Sequence, residues 1–151
     1  MNSLIHFFCG LMGASIVVVP LFLLFHGVPV ITLMAVLLAI AGFIVSIPVH
    51  EMIHGVTCAY VSNNNYKTIS YGISLKGLHA YCRYQLPIAT NVRNIVSLMP
   101  GIVLGLIPAI VGVAIGNVAV CIFAILNLAG ASGDVHAAYN LRKYVRAQRR
   151  R

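Results

Sequence analysis

Acidic residues are almost missing from this chain. Its 151 residues hold ten Lys and Arg but only two carboxylates, Glu51 and Asp134. Charge of either sign is scarce at 8% of residues, whereas 60% are hydrophobic and the mean hydropathy is +0.96. A soluble domain carries about 25% charged residues, so this chain has too little polar surface to stay dissolved. It reads as a single integral-membrane domain, all-α in class. The four cysteines (Cys9, Cys58, Cys82 and Cys121) have no paired spacing and no CxxC, which points to reduced thiols facing lipid or core. No basic segment precedes the first apolar run and no small-residue cleavage site follows Leu21–Phe25, so the N-terminus is not read as a signal peptide.

Long apolar runs are present instead, at about 4–25, 28–60, 95–116 and 118–139. A span needs about 20 residues, so four transmembrane helices are expected. The second run is longer than a bilayer requires and should tilt or project, with Pro48 as a candidate kink. Four spans put both termini and the 61–94 loop on one side. All ten basic residues then share that side, four in the loop and six in the 140–151 tail. Cation-rich short loops stay in the cytosol, so both termini are expected to be cytoplasmic. The net charge of +8 is thus explained by topology and lipid contact, with no nucleic-acid partner. Within the loop, Ile69, Tyr71, Ile73 and Leu75 alternate with Ser70, Gly72 and Ser74. This period of two, before a Lys76-Gly77 turn, predicts a small cytoplasmic β-hairpin between helices two and three. It could cap the helix ends or offer an edge to an extended peptide.

Both carboxylates lie where burial is costly. An aspartate at the centre of a membrane helix costs roughly 2.5–3.5 kcal/mol on insertion scales, and a glutamate should cost about as much. Glu51 belongs to His50-Glu51-Met52-Ile53-His54, an H-E-x-x-H pattern. On a helix, His50 and His54 share one face and can converge on one ion, with Glu51 one step round. Zinc lowers the pKa of a bound water, and an adjacent carboxylate can take its proton and pass it to a leaving amine. From this chain's composition the pattern is expected about 0.0015 times by chance. A buried His/Glu hydrogen-bond or proton-relay cluster is the plainer alternative.

A catalytic zinc needs a third protein ligand, and Asp134 is the candidate. Spans two and four run in the same direction, and His50 and Asp134 fall about 30 Å and 26 Å along them, at comparable depth. Gly130-Ala131-Ser132-Gly133 before it would let the helices approach closely. His136 is the rival, but it points about 200° away from Asp134. Asn127, seven residues before Asp134, shares its face and could donate to an oxyanion or serve as interhelical glue. Gly101 and Gly105 form a GxxxG that reads as packing.

With its HEMIH helix, a Gly-Asp in a later apolar run and four spans, the chain resembles the small membrane metalloproteases of the zincin (HExxH) type, distantly related to site-2 proteases. The likeness covers about residues 45–143. It implies His50, His54 and Asp134 as zinc ligands and Glu51 as general base. Asn127-Leu128 to Asp134 is similar to the Asn…Leu-Asp-Gly stretch of site-2 proteases. It departs where Gly133 precedes Asp134 and Val135 follows it. The expected activity is a zinc-dependent intramembrane or membrane-proximal peptidase, acting on a membrane protein or peptide. The alternative is a non-enzymatic transporter, metal carrier or scaffold with a His/Asp ion site. Few polar residues line the spans beyond Ser15, Thr32 and Ser46, which disfavours a conduction path. A third reading, a structural metal site, leaves Glu51 without a use.

Overall fold

The computed structural model describes residues 3–61, 69–74, 79–84 and 90–148. Five α-helices dominate the described residues: α1 (Ser3–His26), α2 (Leu33–Val61), α3 (Thr90–Pro100), α4 (Ile107–Ile115) and α5 (Val118–Gln148). A π-helical stretch, Gly101–Leu106, joins α3 to α4. Among the described residues, four helical segments are long and apolar enough to cross a membrane: Leu4–His26, Leu33–Val61, Val92–Ile115 and Val118–Asn140.

Where the helices start and stop departs from hydropathy in three places. α2 begins at Leu33, not Val28. Thr32 caps it, its Oγ1 accepting the Ala35 N–H at 3.1 Å, and Pro29 lies in the preceding link. A cap satisfies an orphan N–H of the first turn whatever the hydropathy upstream. The helix of the third span begins at Thr90, earlier than the apolar run. α5 continues into the basic tail as far as Gln148, where Leu, Arg, Lys, Ala and Gln are strong helix formers.

The chain divides into two compact units. Unit 1 comprises residues 1–46 and 101–133. Its helices pack through small residues. A Cβ on Gly10 of α1 would meet Ser132 Cβ at 2.7 Å, and one on Gly42 of α2 would meet the Phe123 ring at 3.2 Å. Gly101 and Gly105 face Ala131 and Leu128, where a Cβ would come within 3.1 and 2.6 Å of the opposing side chains. The GxxxG is therefore a packing surface, and α5 is the helix that the others share. Ala124 and Ala129 on α5 are fully buried. At the α4–α5 turn, Gly116 takes φ +68°, a left-handed conformation suited to glycine. His26 closes this end, its Nε2 donating to the Val113 carbonyl at 2.6 Å.

Unit 2 comprises residues 47–100 and 134–151. Two strands, β1 (Ile69–Ser74) and β2 (His79–Tyr84), pair antiparallel with Tyr71 opposite Cys82. The connection expected at Lys76-Gly77 lies outside the described residues. The C-terminal half of α2, α3 and the end of α5 complete the unit. Cys58, Ala59, Val96, Pro100 and Ala138 are buried there.

Candidate metal centre

All of the chemistry-bearing residues of the motif fall in unit 2. α2 runs unbroken through Pro48 to Val61, which places His50, Glu51 and His54 on consecutive turns. The two imidazoles meet edge-on, with ring centroids 4.9 Å apart and planes at 76°. Asp134 enters from α5. Its Oδ2 lies 3.0 Å from His50 Nε2 and 3.6 Å from His54 Nε2. The depth matching of α2 and α5 inferred from helix rise is the arrangement seen. All three side chains are half-buried, at 17%, 12% and 32% exposure. This is shielded enough to strengthen electrostatics, yet open to a ligand.

These donors can be tested against zinc geometry. At about 2.0–2.1 Å from a tetrahedral ion, two ligand atoms lie about 3.3 Å apart. The separations of 3.0 and 3.6 Å from Asp134 Oδ2 bracket that spacing, and two imidazole nitrogens with one carboxylate oxygen are donors of the kind that zinc takes. Ligand atoms of His50, Glu51 and His54 also lie within 4.8 Å of one another, so Glu51 borders the same space. His136 follows Asp134 by two residues on α5. The short contacts to the motif histidines come from Asp134.

Two partners of the site were not legible from the motif. His54 Nδ1 donates to the backbone carbonyl of Val96 at 2.8 Å, which fixes the ring and aims Nε2 at Asp134. The Cys82 backbone N–H hydrogen-bonds the Glu51 carboxylate, so β2 borders the site. The nearest sequence signal for the first is Pro100, four residues after Val96. For the second there is none beyond the alternation of the strands. Asn127 belongs to unit 1 and is 3% exposed. Its Oδ1 accepts from Ser46 Oγ at 2.8 Å, and its Nδ2 donates to the Phe123 carbonyl at 3.0 Å.

Residues 43–148 match the profile of a protein family described as "putative zincin peptidase". The chain belongs to this family. The matched range of the zincin family takes in His50, Glu51, His54, Val96, Pro100 and Asp134, together with both strands. No curated protein and no solved structure matches the chain.

Proposed function

We propose that this member of the zincin family is a membrane-embedded zinc peptidase. The observation that carries the reading is the convergence of the His50 and His54 Nε2 atoms on one oxygen of Asp134, with Glu51 beside them on the same helix. The helices that bring these residues together are long and apolar enough to lie in a bilayer. On this reading they are the chain's second and fourth spans, with both termini, the strands and the basic tail in the cytosol.

His50, His54 and Asp134 would hold the ion, which when bound supplies Lewis-acid polarisation and an acidified water. Glu51 takes the proton from the attacking water and returns it to the leaving amine. The Cys82 N–H steadies this carboxylate in its acceptor form. Successive N–H groups of an antiparallel strand alternate between its two edges. Because the Cys82 N–H is turned to Glu51, the backbone edge of β2 shared by Ala80, Cys82 and Tyr84 is the one beside the motif. Joined as a hairpin, β1 and β2 would leave the Ala80 and Tyr84 backbone groups of that edge to an extended substrate segment by strand addition, the Cys82 N–H being kept by Glu51. The substrate is then a membrane protein or peptide unwound near the cytosolic face. An ion-conducting alternative finds less support. The cavity of about 720 Å³ in unit 1 is lined by Val17, Val18, Leu21, Ala109, Ile110 and Val113 among others, with His26 its one ionisable group.

The deciding experiment uses the full chain purified in detergent, with zinc counted by elemental analysis and cleavage followed on a single-span model substrate and labelled casein. A peptidase binds about one zinc per chain, and Glu51→Gln keeps that zinc while losing cleavage. Zinc binding with no cleavage of either probe by the wild type, or full cleavage by Glu51→Gln, refutes the assignment.

A further inference from the structure

In an α-helix the carbonyl of one residue accepts the N–H four residues later. Proline has no N–H to give, and Pro100 stands four residues after Val96 within α3. The Val96 carbonyl therefore lacks its ordinary helical donor. Val96 is 2% exposed and Pro100 is fully buried, so water is a poor substitute for the missing bond. The carbonyl accepts from His54 Nδ1 instead, at 2.8 Å. A neutral imidazole with its proton on Nδ1 carries its lone pair on Nε2. Nε2 is the atom 3.6 Å from Asp134 Oδ2.

We propose that Pro100 is a positioning residue for the metal centre: it frees the Val96 carbonyl to hold His54 in the Nδ1–H tautomer, with Nε2 presented to the ion. A proline at this place couples a helix-breaking residue in α3 to the ligand state of a histidine in α2. The same chemistry elsewhere sets ring orientation and ligand basicity through a hydrogen-bonded outer partner. Only the last step, the effect on zinc, rests on the peptidase reading. The tautomer is a property of the protein alone.

Restoring the N–H with Pro100→Ala gives Val96 back its helical donor and sets it in competition with His54. Alanine is a better helix former than proline. The control is Pro20→Ala, the same chemical change inside α1, which carries no residue of the centre. The tautomer is read by long-range proton–nitrogen correlation on ¹⁵N-histidine-labelled protein in detergent before any zinc is added, with His54 assigned through His54→Gln. Zinc affinity is read by competition with a chelating indicator. The wild type should show His54 protonated on Nδ1. Pro100→Ala should weaken that signature and lower zinc affinity about 10- to 100-fold, with Pro20→Ala changing neither. A wild-type His54 with no proton on Nδ1 overturns the proposal whatever Pro100→Ala does. So does a Pro100→Ala protein with unchanged tautomer, or an equal affinity loss in Pro20→Ala. A tautomer that shifts in Pro100→Ala while neither protein binds zinc upholds the positioning role and removes the zinc reading.

Discussion

The two units treat buried polarity in opposite ways. In unit 1 it is spent on packing: Ser46 and Asn127 satisfy each other and their own helices, and glycines bring backbones into contact. In unit 2 the polar groups converge on a point. Two imidazole nitrogens lie within 3.6 Å of one Asp134 oxygen, the backbone of α3 holds His54 and that of β2 meets Glu51, and elsewhere in the unit Asn94 Oδ1 is buried with no partner among the described residues. A buried group with unspent hydrogen-bonding capacity is costly and calls for an account of its own. Unit 1 reads as scaffold and unit 2 as chemistry. Substitutions in the first should move stability alone, and substitutions in the second should move metal and activity.

The largest effect is expected at the ion. Asp134→Ala should take bound zinc from about one per chain to none, because a catalytic site with two remaining protein ligands holds zinc poorly. His136→Ala should leave it bound. Elemental analysis after dialysis separates the two, and the reverse pattern would move the third ligand to His136. Next comes Glu51→Gln, which should lower the cleavage rate about 10²–10⁴-fold, the usual contribution of a general base, at unchanged zinc content. A rate loss that tracks zinc loss would instead make Glu51 a ligand, in keeping with its place in the His50-Glu51-His54 cluster.

In unit 1 the effects should be on folding. Gly105→Ala drives a Cβ to 2.7 Å from Leu128 Cγ and 3.3 Å from its backbone nitrogen, so α5 must give way, at about 1–3 kcal/mol. Thermal unfolding in detergent should show the loss while zinc affinity holds. Asn127→Ala leaves the Ser46 hydroxyl its bond to the Phe43 carbonyl, so the cost should fall near the low end of about 1–3 kcal/mol. The cleavage rate should change only a few-fold. A drop of about 10²–10³ in rate at normal stability would instead return Asn127 to the oxyanion role.

What could be read from the sequence was what is local. The four apolar spans and the HEMIH face depend on spacing along one helix, and Asp134 could be paired with them because helix rise turns residue number into depth. The start of α2 was not legible from hydropathy, since Val28–Thr32 is apolar enough to be helix, yet the helix begins only after the Thr32 cap. The Val96 and Cys82 contacts are backbone groups reaching across space, and composition says nothing about them. Pro100 did announce that one carbonyl would be free, but not which side chain would claim it.

The smallest effect gives the sharpest control on the scaffold reading. Gly13 of α1 is exposed, and a Cβ there would meet nothing within 4 Å. Gly13→Ala therefore removes backbone freedom without a clash and should leave the protein as stable as before, or up to about 1 kcal/mol more so. Gly105→Ala makes the same chemical change on the packed surface facing Leu128, and the difference between the two melting curves isolates close packing from helix propensity. If Gly13→Ala destabilises as much as Gly105→Ala, then the α1 surface at Gly13 is itself covered by another helix, and unit 1 is an interface as well as a scaffold.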